Sequence, residues 1–222
     1  MQTTAFTVSG GSSRVSHRIA VLLLACAAAS SIFIWLQFAP RYFFQTGILN
    51  KHQRHVAWLF LHILTASSAL FTGPFLLWSG FRKAPMAIHR KIGVVYLIGG
   101  GLGTSAGMLL STVAKHRAPA FYLGTFFLGL VWLTAAFMGY RAIRNRQVEA
   151  HQEWMIRSYV LTWSFVACRI PDLSIVQSLG PGGDSTILWA TWSVPLFFTE
   201  VVLQWRRSGA RPARSSVFGG NS

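Results

Sequence analysis

Long apolar runs, parted by short basic or Gly/Pro-containing segments, set the pattern of this chain. The first run, Ile19 to Phe38, opens after Arg18 and holds about twenty apolar residues, enough for a helix across ~30 Å of hydrocarbon. Its Ala-Cys-Ala-Ala-Ala-Ser-Ser centre imitates a signal-peptide cleavage site. Because the run continues through Ile32-Phe33-Ile34-Trp35-Leu36, a retained first helix is the preferred reading. Further helices are expected at about His55–Trp78, Pro85–Val113, Phe121–Tyr140, Trp154–Ile170 and Thr186–Trp205. Gly73-Pro74 is expected to kink the second, since proline removes a backbone hydrogen bond. Pro85 suits the first position of the third and places His89 inside that helix. The expected fold is therefore all-α: one six-helix transmembrane domain over residues 18–205, with disordered tails at 1–17 and 206–222.

Composition strengthens the membrane reading. Only 11% of residues are charged and 52% are hydrophobic, whereas a soluble domain carries about a quarter charged residues. The formal net charge of +15 would suggest nucleic acid in a soluble protein, but no aromatic-basic interleaving or reader motif supports nucleic-acid binding. The basic residues sit between the apolar runs, as expected for membrane orientation and for contact with the bilayer and its anionic headgroups. With six spans, 14 Lys and Arg fall on the side of the termini and 6 on the other, which places both termini in the cytoplasm. Cys26 and Cys168 each lie in an apolar run and read as packing residues.

With that topology the ionisable residues fall into two layers. The inner layer holds His89, Arg90, His151, Arg157 and Glu200; the outer holds His62, His116 and Arg169, with His55 and Asp172 close by. Two imidazoles on one haem iron have their nitrogens only ~4 Å apart. His62 and His89 are too far across the bilayer to share one. The workable pairs are His89 with His151 inside and His62 with His116 outside, around haem b. Each histidine also has a plainer reading. His89 and His151 could face headgroups, His62 could bond a neighbouring helix, and His116, between Lys115 and Arg117, could be solvated. Glu200 is costly at its depth unless paired or protonated, and Arg157 is its expected partner, as a structural ion pair or a proton relay. Arg169 near Asp172 reads as a further ion pair.

Gly99, Gly103 and Gly107 recur every fourth residue and predict close helix packing, which also admits a helix-mediated oligomer. The enclosing GGGLG is no phosphate loop, for it has no following Lys-Ser/Thr and no preceding strand. Trp58, Trp78, Trp154, Trp189 and Trp205, near helix ends, suggest interfacial belts.

His89-Arg90-x-x-Gly93-x-x-Tyr96 and His151-x-x-Trp154-Met155-x-Arg157-Ser158 resemble a multi-pass membrane family catalogued as a domain of unknown function. The resemblance covers about residues 50–205 and extends to His62, Gly73-Pro74, Arg169 and Glu200; Gln152 departs from it where arginine is common. It implies a multi-pass membrane fold and these site residues, but no reaction. Three roles stay open: haem-b electron transfer, a proton-coupled transporter using Glu200 and Arg157, and a structural or assembly subunit. No GxSxG, HExxH or Cys-His arrangement points to soluble catalysis.

Overall fold

The computed structural model describes residues 12–44, 55–81, 85–113, 118–169 and 173–209, with 12–20, 41–43, 173, 174 and 209 described as backbone only. The described residues form seven α-helices: α1 (Ser12–Phe44), α2 (Val56–Phe81), α3 (Met86–Val113), α4 (Pro119–Arg144), α5 (Val148–Ala167), α6 (Leu173–Ser178) and α7 (Gly183–Gly209). Five contain stretches long and apolar enough to cross a membrane: Val21–Pro40, Val56–Phe81, Met86–Val113, Pro119–Arg144 and Gly183–Ser208. The expected fifth span does not meet that standard. Its helix, α5, has the length but carries Glu149, His151, Glu153 and Arg157 in its first half. Helical structure also reaches into both expected tails, since α1 begins at Ser12 and α7 ends at Gly209. Pro74 does not interrupt α2, and Pro195 does not interrupt α7.

The chain forms two compact units, Met1–Lys115 and His116–Ser222. In the first, α2 and α3 form a tight antiparallel hairpin and α1 packs on α2. Glycine sets the closeness of the hairpin. A Cβ on Gly103 would lie 2.7 Å from the backbone nitrogen of Ala66, and one on Gly99 would overlap the Ser68 hydroxyl. The seam predicted from the spacing is thus the contact between α2 and α3. On the other side of α2, Trp35 of α1 donates from Nε1 to Ser67 Oγ at 2.7 Å and meets the Phe71 ring edge-on.

In the second unit α5 lies between α4 and α7, with α6 against α7. Leu161, Ser158, Ser164 and Val166 of α5 are all buried. The long helix that misses the standard for a span is therefore well covered by protein. Trp132 of α4 donates to Thr162 Oγ1 at 2.8 Å, and Thr162 passes its own proton to the Ser158 carbonyl.

Candidate functional site

The first turn of α3 starts at a proline, which has no N–H to leave unsatisfied. The Pro85 carbonyl accepts from the His89 backbone N–H, and His89 becomes the fourth residue of the helix. Its ring reaches back to the end of α2, where Nδ1 lies 2.7 Å from Ser79 Oγ. Ser79 is buried and donates its own proton to the Leu76 carbonyl at 3.1 Å. With its proton directed to Leu76, the Ser79 oxygen is free to accept from Nδ1. Gly80 leaves ordinary van der Waals room beside the ring, at 3.7 Å from a built Cβ.

The second unit repeats this construction. The Gln147 carbonyl accepts from the His151 backbone N–H, and His151 is the fourth residue of α5. Its Nδ1 lies 2.8 Å from the Gly139 carbonyl near the end of α4. A carbonyl only accepts, so Nδ1 is the donor in this contact. Gly139 also seats Met155 and Trp154, and a Cβ there would come 2.9 Å from Met155 Sδ. His62 follows the same rule further along α2, with Nδ1 2.7 Å from the Gly103 carbonyl and its ring against Gly107. The glycine stripe, read from sequence as packing alone, therefore also holds a histidine.

From His89 to Gly103, the level of His62, the chain climbs about 21 Å at ~1.5 Å per residue. These two histidines of one unit are therefore held at well-separated levels. His116 and Asp172 lie outside the described residues. Arg169 follows α5 as an exposed turn residue, its N–H on the Val166 carbonyl at 3.0 Å. Among the described residues no group of three or more His, Cys, Asp or Glu could hold a metal ion.

Arg157 and Glu200 meet between α5 and α7. The guanidinium donates from Nε to Oε1 and from Nη2 to Oε2, the latter at 3.0 Å. Arg157 Nη1 lies 3.7 Å from Glu153 Oε2, and the guanidinium rests 4.7 Å from the Trp154 ring centroid. Glu153 in turn accepts from Arg207, with Nε at 2.9 Å from Oε1 and Nη2 on Oε2. Two glutamates and two arginines thus alternate in an electroneutral chain, Glu200–Arg157–Glu153–Arg207, with Arg157 buried and Arg207 exposed. Sequence reasoning had not included Glu153 and Arg207. The i, i+4 spacing of Glu153 and Arg157 was a visible signal for the first; Arg207 had been assigned to a tail. Ser79 and Gly139, which contact the rings of His89 and His151, carry no mark in the sequence. Of the five tryptophans expected at interfaces, Trp58, Trp78 and Trp205 are exposed, whereas Trp154 covers Arg157 and Trp189 donates to the Ala120 carbonyl.

Apolar helices with polar groups gathered between them define a multi-pass integral membrane protein. The chain belongs to the family described as predicted membrane protein (DUF2306), whose model matches residues 59–203, a range that includes His62, His89, His151, Arg157 and Glu200. Comparison with the curated proteins and with the solved structures gives no match.

Proposed function

We propose that this protein binds haem b through His89 and His151 and passes electrons at the inner face of the membrane. It does so in a six-span topology with both termini cytoplasmic. The reading is carried by the equivalence of the two residues: each is the fourth residue of the second helix of its hairpin, with Nδ1 tied to the end of the preceding helix. A hydrogen bond at Nδ1 fixes the tautomer and ring of an imidazole that ligates through Nε2. The fifth span of the six is α5, whose Arg157 and Glu153 are met by Glu200 and Arg207 of α7. A bound haem supplies the one-electron chemistry; Ser79 and Gly139 keep the two rings oriented.

The test is the absorption spectrum of the full chain purified after haem-replete expression. A Soret band that His89→Ala and His151→Ala abolish or shift is the expected result. Absence of the band in the parent protein, with nothing altered by His89→Ala, overturns the proposal.

A second reading is favoured by the bidentate Arg157–Glu200 pair: proton-coupled transport in which Glu200 exchanges a proton and Arg157 holds the carboxylate between turnovers. Proton uptake by proteoliposomes that Glu200→Gln abolishes would support it. Unchanged uptake and stability in that variant would count against it.

A further inference from the structure

One end of the second unit carries charge that the network above does not use. The α4–α5 turn and the last turns of α7 lie at the same end, because Glu153 near the start of α5 binds Arg207 near the end of α7. Arg141, Arg144, Arg146 and Arg206 are all exposed there, and among the described residues none of them forms an ion pair. Glu149 is the exposed carboxylate nearest to them in sequence.

The arrangement on α4 is directional. Phe137, Tyr140, Arg141 and Arg144 follow the i, i+3, i+4, i+7 spacing of one helix face, and all four are exposed. Along that face the stripe passes from an apolar ring, through an amphipathic ring, to two guanidiniums. This is the order a membrane presents from hydrocarbon through interface to headgroup. On α7 Trp205, 78% exposed, immediately precedes Arg206 and repeats the aromatic-then-basic order.

Arg146 adds a separate indication. Its φ is +60°, the left-handed region that favours glycine or asparagine. A tight turn alone would be better served by glycine. The arginine keeps a third exposed guanidinium at this end at a cost in backbone strain.

We propose that this end of the second unit is a binding surface for anionic phospholipid headgroups, in which Arg141, Arg144, Arg146 and Arg206 contact headgroup phosphates while Tyr140 and Trp205 fix the depth. Guanidinium groups suit phosphate because their forked donors bind it bidentately. The surface is independent of haem binding.

The test uses the full chain in detergent, titrated with phosphatidylglycerol or phosphatidylcholine and followed by native mass spectrometry. Phosphatidylglycerol is expected to be retained in preference to phosphatidylcholine. Retention should weaken about fivefold for each arginine neutralised to glutamine, and should fall with added salt. Arg146→Gly separates binding from folding: it should equal or exceed the parent in thermal stability, because it relieves the positive φ, yet retain less phosphatidylglycerol. Equal retention of the two lipids overturns the proposal, as does unchanged retention in an Arg141→Gln/Arg144→Gln/Arg146→Gln variant that remains folded. Capture of inorganic phosphate as tightly as of the lipid also overturns it.

Discussion

At the scale of single side chains, the second unit depends on hydrogen bonds made away from water. Trp132, Thr162 and the Ser158 carbonyl form a buried relay across α4 and α5. Thr162→Val, which keeps the shape and removes the hydroxyl, is expected to cost about 1–2 kcal/mol. Thr162→Ser should cost less, and unfolding in mixed detergent micelles would measure both. The Arg157–Glu200 pair calls for a double-mutant cycle. With Arg157→Met and Glu200→Gln, a coupling energy of about 0.5–3 kcal/mol is expected for groups in direct contact; a value near zero would remove the pair from any account of stability. At this scale the sequence was partly legible. Counting helical rise put Arg157 and Glu200 at one level, and the cost of charge in a bilayer made them partners. It could not find Ser79 or Gly139, because a hydroxyl and a backbone carbonyl have no signature until a ring is placed against them.

At the scale of elements, two hairpins dominate, and glycine decides how close one of them comes. Gly103 and Gly101 are neighbours on α3 with opposite expectations. A Cβ at Gly103 would meet the Ala66 backbone, whereas one at Gly101 meets nothing within 4 Å. Gly103→Ala is expected to lower stability by about 1–3 kcal/mol through overpacking. Gly101→Ala should be neutral or stabilising by up to about 1 kcal/mol through helix propensity. A thermal-shift comparison checks the pair; equal effects would mean that the seam does not set the helix separation. The every-fourth-residue spacing made the seam readable before its partner was known. What the spacing could not supply was His62, which sits on the same seam because Gly107 leaves space for its ring. Helix positions were legible from hydropathy, though their ends were not: α1 and α7 both run beyond their apolar segments.

At the scale of the whole molecule, hydropathy located every long helix, although α5 falls short of the standard for a membrane span. An apolar run measures exposure to lipid, and α5 is covered by α4 and α7, so it had no need to be apolar. Its sequence shows a polar first half, and only the partners on α7 explain how that half can be accommodated. The division into two units was also hidden, since the pattern of apolar runs is alike on both sides of Lys115. The topology proposed above gives a direct prediction. In a Cys26→Ala/Cys168→Ala background, single cysteines at Ser13 and Ser208 should both react with a membrane-impermeant maleimide from the cytoplasmic side alone. Labelling of either from the opposite side would exclude a six-span arrangement with both termini inside.

The pairing of α5 with α7 has a consequence for the order of events during synthesis. Arg157 precedes its counter-ion Glu200 by 43 residues, and Glu153 precedes Arg207 by 54. At about 5–20 residues per second, the ribosome leaves Arg157 without Glu200 for roughly 2–9 seconds. A charged residue at the centre of a helix costs the insertion machinery about 2.5–3.5 kcal/mol. In the six-span topology proposed above, the newly made α5 is therefore expected to wait at the channel or the interface until α7 arrives, and the two to enter as one unit. Chains halted before α7 should leave α5 open to protease, while chains carried past Arg207 should protect it.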